Sequence, residues 1–239
     1  MDLDGRTALV TGGARRIGRA ICLALASKGV RVAIHFRSSE ADARDLAEQC
    51  PGSIVLRADL ADAADRARLL PLAAEQIGRL DFLVNNASAY ESAPLAEIDE
   101  ASFERTLAVN LKAPFFLARD AGLAMRAAGG GAIVNITDWG IDRPYPDRIP
   151  YFAAKAGLAA VTKGLARALA PEVRVNAVAP GPILLADGAG GAALAAVERA
   201  TPLGRLGGPD AVATAVLFLL DHDFMTGETV RVDGGRSLQ

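Results

Sequence analysis

Residues 7–18, Thr7-Ala8-Leu9-Val10-Thr11-Gly12-Gly13-Ala14-Arg15-Arg16-Ile17-Gly18, decide how the rest of the chain is read. Thr7–Val10 is a short apolar strand, and from Ile17 to Ser27 apolar residues recur with helical spacing. The glycines between them allow a tight turn and let backbone N–H groups approach an anion at the helix N-terminus. A glycine pair before a helix says little by itself. In a strand–turn–helix unit at the start of an alternating chain, it points to a dinucleotide.

Strand-like and helix-like runs continue to alternate. Val30–Phe36, Ile54–Leu56, Phe82–Val84, Ala132–Ile136, Val173–Val178 and Thr229–Val232 read as further strands. Glu40–Gln49, Ala61–Ile77, one long run Ser102–Ala128, and Tyr151–Leu169 read as helices. After Pro180 the pattern lapses into Gly, Ala and Pro, predicting a mobile loop with at most a short helix. Ala211–Leu220 is apolar nearly all round, as a buried or interface helix is. Such alternation predicts an α/β fold with a parallel sheet covered on both faces. Seven strands without a linker or repeat give one doubly wound, Rossmann-type domain over residues 1–239.

Composition narrows the function. At 239 residues and 51% hydrophobic, the chain can bury a sizeable core. A net charge of −2 and a pI near 5.8 offer no basic surface for nucleic acid or anionic membranes. The acidic start, M-D-L-D-G-R-T, lacks the basic and apolar regions of a secretory signal, and no segment reaches the roughly 18 apolar residues of a spanning helix. Cys22 and Cys50 fit no metal spacing, Cys22 reads as buried filler, and His35 and His222 are the only histidines. The expectation is a cytoplasmic protein without a metal.

The end of the second strand selects the dinucleotide. An Asp or Glu about 20 residues past the glycines would bond the ribose 2′-hydroxyl of NAD. Here the strand ends His35-Phe36-Arg37-Ser38. Arg37 offers a planar fork of donors and Ser38 a hydroxyl, and Arg15 in the turn could reach the same phosphate. With the acid missing, these residues favour NADPH.

Tyr151 and Lys155 stand four apart at the start of a helical run, hence on one helix face. A cation beside a phenol favours the phenolate and brings a tyrosine toward proton exchange near neutral pH. Alone, such a pair is commonplace.

Taken together, Thr11-Gly12 with Gly18, Asp59-Leu60, Asn85-Asn86-Ala87, Asn110, Tyr151-x-x-x-Lys155, Pro180-Gly181 and the Asp233–Gly235 ending resemble the short-chain dehydrogenase/reductase family in order and spacing. The likeness spans essentially the whole chain. It implies that Tyr151 is the proton donor or acceptor, and that Lys155 lowers its pKa and holds the nicotinamide ribose. Asn110 would support a water-linked proton path from Lys155. Gly12, Arg16, Ile17 and Gly18 would form the pyrophosphate turn, Asp59 with Leu60 would meet the adenine, and Asn86-Ala87 would line the adenosine side. The backbone at Pro180, Gly181 and Ile183 would grip the carboxamide. A homotetramer, built partly on the apolar helix Ala211–Leu220, is implied on the same ground.

Three departures from the family pattern are informative. The middle glycine of the usual turn is Arg16, and the usual N-N-A-G is Asn85-Asn86-Ala87-Ser88, followed by Ala89-Tyr90. The position thirteen before the tyrosine, normally serine, is Asp138. A serine hydroxyl donates to the oxyanion that develops in ketone reduction, whereas an ionised carboxylate would repel it. Asp138 suits a substrate with a protonatable ring nitrogen, either kept protonated by burial or relaying a proton to Tyr151. Alternatively, Thr137 fills the serine role one residue earlier.

These departures resemble the pteridine-reductase and dihydropterin-reductase branch. The likeness implies a pterin stacked between the nicotinamide and Tyr90, with Ser88 and Arg16 at its polar edge. Leu184 and Leu185 after Pro180-Gly181-Pro182-Ile183 agree with that branch, and Leu185–Ala200 suggests a modest lid. The expected activity is NADPH-dependent reduction of a dihydropterin or dihydrofolate C=N bond, with the proton from Tyr151, Asp138 and Lys155. The rivals are a carbonyl reductase for 3-oxoacyl, sugar or polyketide substrates and a non-catalytic dinucleotide sensor. No basic patch recommends an acyl-carrier-bound chain, and the intact Tyr151, Lys155 and Asn110 argue against a sensor.

Overall fold

Alternation along each strand divides the core in two. On β1 (Thr7–Val10) Ala8 and Val10 join one apolar cluster, while Leu9 joins the other. β2 (Arg31–Phe36) sends Val32 and Ile34 to the first cluster and Ala33 to the second. β4 (Phe82–Asn85) and β5 (Gly131–Ile136) repeat the split, with Leu83 and Ile133 on the second face. Side chains on a strand point alternately to opposite faces, so a sheet buried on both sides needs apolar residues at every position. With β3 (Ile54–Arg57), β6 (Val173–Pro180) and β7 (Thr229–Val232), the strands form one sheet in the order β3-β2-β1-β4-β5-β6-β7. Every pairing in it is parallel. The doubly wound Rossmann-type architecture and its seven strands stand as read. The computed structural model describes residues 3–186 and 188–239. Met1 and Asp2, in the acidic N-terminal stretch, and Asp187, in the expected lid, lie outside the described residues.

Helices cover both faces. α1 (Arg16–Ala26), α2 (Glu40–Gln49) and α8 (Pro209–Asp221) give Ile21, Cys22, Leu25, Leu46, Val216 and Leu219 to the first cluster. α3 (Ala63–Ile77), α5 (Ala113–Ala127) and α6 (Ile149–Leu169) give Leu69, Ile77, Leu117, Met125 and Leu165 to the second. Cys22 is buried filler, as expected, and Cys50 is also buried and free. α3 starts two residues later than read, because the Asp62 carboxylate accepts the Asp65 N–H at 2.8 Å and caps the helix there. α7 (Gly191–Arg199) is the short helix in the segment after β6.

The run Ser102–Ala128, read as one helix, is interrupted. α4 (Glu100–Leu107) passes into a wider turn over Ala108–Lys112, and α5 follows. Pro114 causes the break: it has no N–H to give the carbonyl of Asn110, four residues earlier. Single π-helical turns of this kind recur at functional sites. This one displays a fully buried Asn110.

The sheet order reverses direction between β1 and β4, which leaves a crevice at their carboxyl ends. A buried polar chain stiffens the sheet just beyond. Asn85 Nδ2 donates to Asn135 Oδ1 at 2.9 Å, and Asn135 Nδ2 donates to Thr162 Oγ1 of α6 at 2.9 Å. Replacing Asn135 by Leu removes both bonds and leaves their partners buried, so about 2 kcal/mol of stability should be lost. Urea unfolding checks this; a loss near zero would show that the chain does not support the sheet.

Candidate active site

The phosphate turn is stapled to the end of β4. Thr11 Oγ1 accepts the N–H groups of Asn86 at 2.9 Å and Ala87 at 3.1 Å. In return, Asn86 Nδ2 donates to the carbonyls of Thr11 and Gly12, each at 3.0 Å. Close approach then dictates the glycines. A Cβ on Gly18 would lie 2.1 Å from the Gly12 carbonyl oxygen, and one on Gly12 would lie 2.9 Å from Ala87 Cα, with φ at +61°. Arg16 has φ +52°, the one positive value for a non-glycine among the described residues. A left-handed arginine costs of order 1 kcal/mol, and such strain collects at functional sites. Its Nη2 donates to the Leu185 carbonyl at 2.9 Å, across to the base of the lid segment.

Around this turn opens a cleft of about 610 Å³. Gly12 and residues 14–18 form its floor; residues 35–39, Asp59 and Leu60 line one end, and residues 86–91 with Val109 line the other. It therefore gathers Gly12, Arg15, Arg16, Ile17, Gly18, Arg37, Ser38, Asp59, Leu60, Asn86 and Ala87, with the expected substrate residues Ser88 and Tyr90. Pro180, Gly181 and Ile183 are not among the lining residues. They lie at the carboxyl end of β6, where Gly181 N–H bonds Val232 O at 2.9 Å and Ile183 is buried.

Within the cleft, Arg37 is exposed and makes no hydrogen bond or ion pair among the described residues. Arg15 also lines the cleft, where its guanidinium forms an exposed ion pair with Asp42 of α2, with Nε at 2.7 Å and Nη2 at 2.6 Å from Oδ2. Asp59 accepts the Ala61 N–H at 2.9 Å and forms a turn at the edge of the cleft.

The proton-handling residues stand beyond Tyr90. Its ring meets that of Tyr151 edge to face, with centroids 4.6 Å apart. Tyr151 Oη donates to Asp138 Oδ2 at 2.8 Å, while Asp138 Oδ1 accepts the Gly140 N–H at 2.7 Å. Lys155 Nζ donates to the Ile136 carbonyl at 2.7 Å. Asn110 holds the Ser88–Ala89 stretch that leads to Tyr90. Its Oδ1 accepts Ser88 Oγ at 2.8 Å and Ala89 N–H at 3.2 Å, and its Nδ2 donates to Ala89 O at 2.8 Å. The alternative role for Thr137 falls away. That hydroxyl is buried and donates to the Val178 carbonyl at 3.1 Å, whereas Asp138 itself reaches Tyr151.

Electrostatics here correct one expectation. Lys155 was expected to pull the Tyr151 pKa down. Instead the Tyr151 pKa is pushed well above its ordinary value, first by burial and then by the Asp138 charge and hydrogen bond. Burial lowers Lys155 to about 8, against the pull of Asp138. Burial also raises Asp138, outweighing Gly140, Tyr151 and Lys155, each of which favours its carboxylate.

Sequence reading missed two features. Arg148 stacks its guanidinium 4.4 Å from the centre of the Tyr90 ring, while Asp147 binds both Arg148 and Ser92. His35 reaches back to the phosphate turn through its ring. No motif marks either one. Only the position of Arg148, three residues before Tyr151, hinted at its neighbourhood.

Comparison with known proteins agrees with this geometry. The family described as enoyl-(acyl carrier protein) reductase matches residues 12–237. A granaticin polyketide synthase putative ketoacyl reductase from Streptomyces violaceoruber is 37% identical over 98% of this chain and 97% of its own. A putative short-chain alcohol dehydrogenase from Sinorhizobium meliloti superposes with a TM-score of 0.92 at 37% identity, covering 100% of this chain and 98% of that one. The FolM alternative dihydrofolate reductase 1 of Brucella canis, solved with NADP, gives 0.93 at 35% identity, covering 100% and 96%.

Asp138 holds its proton more tightly folded than unfolded, so its contribution to stability is full below about pH 4 and is lost as pH rises through its raised value. Asp138→Asn, with no charge to bury, should therefore gain stability over the parent as the pH rises from about 4 to 7, with the gain vanishing near pH 4. Thermal melts at the two pH values measure this, and a less stable variant at pH 7 would contradict it.

Proposed function

Because the chain belongs to the short-chain dehydrogenase/reductase family, we propose that it is an NADPH-dependent reductase of a pterin-type C=N bond, taking a dihydropterin or dihydrofolate to its tetrahydro form. The observation that carries this reading is the Tyr151–Asp138 hydrogen bond: a half-buried carboxyl stands where reduction of a ketone calls for a hydroxyl donor. The Brucella canis relative, a dihydrofolate reductase with NADP in its structure, supports the same choice.

The cleft fits the dinucleotide. A Cβ at Gly18 would strike Gly12 O and Asn86, so the glycine lets α1 pack tightly on the phosphate turn, and no acidic side chain ends β2 to meet a bare 2′-hydroxyl. Arg37 and Ser38 take the 2′-phosphate, the first turn of α1 receives the pyrophosphate, and Asp59 and Leu60 border the adenine. Asn86 and Ala87 line the adenosine side, and the backbone at Pro180, Gly181 and Ile183 meets the carboxamide. When bound, the cofactor supplies the hydride.

The chain's own residues manage the proton. The Tyr151 hydroxyl holds the one that the ring nitrogen takes. Asp138, biased toward its protonated form by burial, replaces it. Lys155 lies against the nicotinamide ribose, and the Asn110 carbonyl, which Pro114 cannot bond, holds a water on the path from Lys155 to solvent. Tyr90 offers the ring a stacking face, while Ser88 and Arg16 meet its polar edge. The same family reading makes the enzyme a cytoplasmic homotetramer, consistent with the half-exposed Phe218 on α8.

The rival is a carbonyl reductase, favoured by the polyketide ketoacyl reductase among the relatives. Purified protein with NADPH should turn over dihydropterins or dihydrofolate, and Asp138→Ser should cut that rate by about 10² or more. Turnover of 3-oxoacyl thioesters alone would overturn the pterin reading, and tight NADPH binding without any turnover would point to a sensor. Arg37→Asp should shift preference toward NADH by about tenfold in kcat/KM. An unchanged preference would place the 2′-phosphate elsewhere.

A further inference from the structure

Gly12 and Gly13, which by sequence look like the natural donors to a pyrophosphate, both give their N–H groups to one residue. Gly12 N–H donates to His35 Nδ1 at 3.0 Å, and Gly13 N–H donates to the His35 carbonyl at 2.9 Å. A ring nitrogen that accepts carries no proton, so the His35 proton sits on Nε2, which donates to the Ala58 carbonyl at 3.1 Å. The ring is 2% exposed, and burial lowers its pKa, against the Ala58 bond and the Asp59 charge, which favours this neutral form. One imidazole therefore joins three strand ends: the turn after β1, the end of β2 that carries it, and the segment after β3.

With two glycine amides occupied, the donors that remain toward an anion are those in the first turn of α1. The helical ladder starts with Arg19 N–H to Arg15 O, so the Ile17 and Gly18 N–H groups precede it. Their direction depends on how Gly12 is oriented, because Gly18 packs directly on the Gly12 carbonyl.

We propose that His35, through the Nδ1 acceptor it presents to Gly12, is a positioning residue for the dinucleotide: it rotates the phosphate turn so that the first turn of α1, and not the glycine amides, faces the cleft. The proposal rests on the NADPH reading given above. Arg37, two residues on, selects the 2′-phosphate, so the carboxyl end of β2 and the residue after it control both phosphate-binding ends of the cofactor.

The two nitrogens of His35 can be tested apart. Asn places an amide oxygen near the position of Nδ1, Gln places its amide near Nε2, and Leu keeps the bulk with neither. NADPH fluorescence titration of the full chain should give His35→Asn an affinity close to the parent, and His35→Gln and His35→Leu a Kd raised about tenfold. Under turnover, the latter two should raise the KM for NADPH and leave kcat at saturation unchanged. In the cofactor-free protein, amide hydrogen exchange at residues 12–18 should quicken in both. His35→Gln retains a partner for Ala58, and decides the matter if the Leu variant does not fold. Parent-like affinity and exchange in His35→Gln, or an Asn variant as weak as the Gln variant, would overturn the proposal. If the parent itself binds no NADPH, the cofactor reading fails, while exchange at Gly12 still decides the part assigned to His35.

Discussion

The hydrogen bond from Tyr151 to Asp138 is the constraint around which the site is arranged. It closes a loop of fixed contacts: Gly140 N–H holds one Asp138 oxygen, Tyr151 takes the other, and Ile136 O holds the Lys155 ammonium one turn along the same helix. A carboxyl with two donors beside a lysine would ordinarily be a firm anion. Here burial outweighs those partners and raises Asp138, while the same burial lowers Lys155 to about 8. The cluster therefore holds acid and base groups that have moved toward one another, an arrangement suited to passing a proton and costly to keep for stability alone.

That cluster is connected to the cofactor cleft by few parts. The wide turn before Pro114 carries Asn110, whose side-chain amide holds Ser88 and Ala89. Tyr90, the next residue, then meets the Arg148 guanidinium and the Tyr151 ring while remaining half exposed. At the opposite end, Thr11 and Asn86 join the phosphate turn to the same β4 exit. One segment, residues 86–91, thus contacts the phosphate turn at its start and the proton-handling residues at its end. Hydride and proton delivery would share that rigid reference, as positioning chemistry demands.

The sequence made much of this legible, for identifiable reasons. The strands show because a doubly covered sheet demands continuous apolar runs, and Gly18 shows because a Cβ there would strike Gly12. Tyr151, Lys155 and Asp138 show through fixed spacing on one strand–helix unit. What escaped is tertiary. Pro114 was visible inside the run read as one helix, but helical periodicity on both sides hid the break. The Arg15 partner, Asp42, lies on a different helix and so could not be read from the turn. His35 and Arg148 act across strands and loops, where no spacing rule reaches. The direction of the Tyr151 shift was misjudged because burial and the Asp138 charge raise it, and helix spacing reports neither.

The account turns on what faces Tyr151. A crystal structure of the protein with NADP and a dihydropterin would decide it most directly. The account predicts a pterin ring nitrogen within about 3 Å of Tyr151 Oη, with Asp138 on the far side of that hydroxyl and the ring stacked on Tyr90. A pterin bound away from Tyr151, or a carbonyl oxygen in the nitrogen's place, would contradict it.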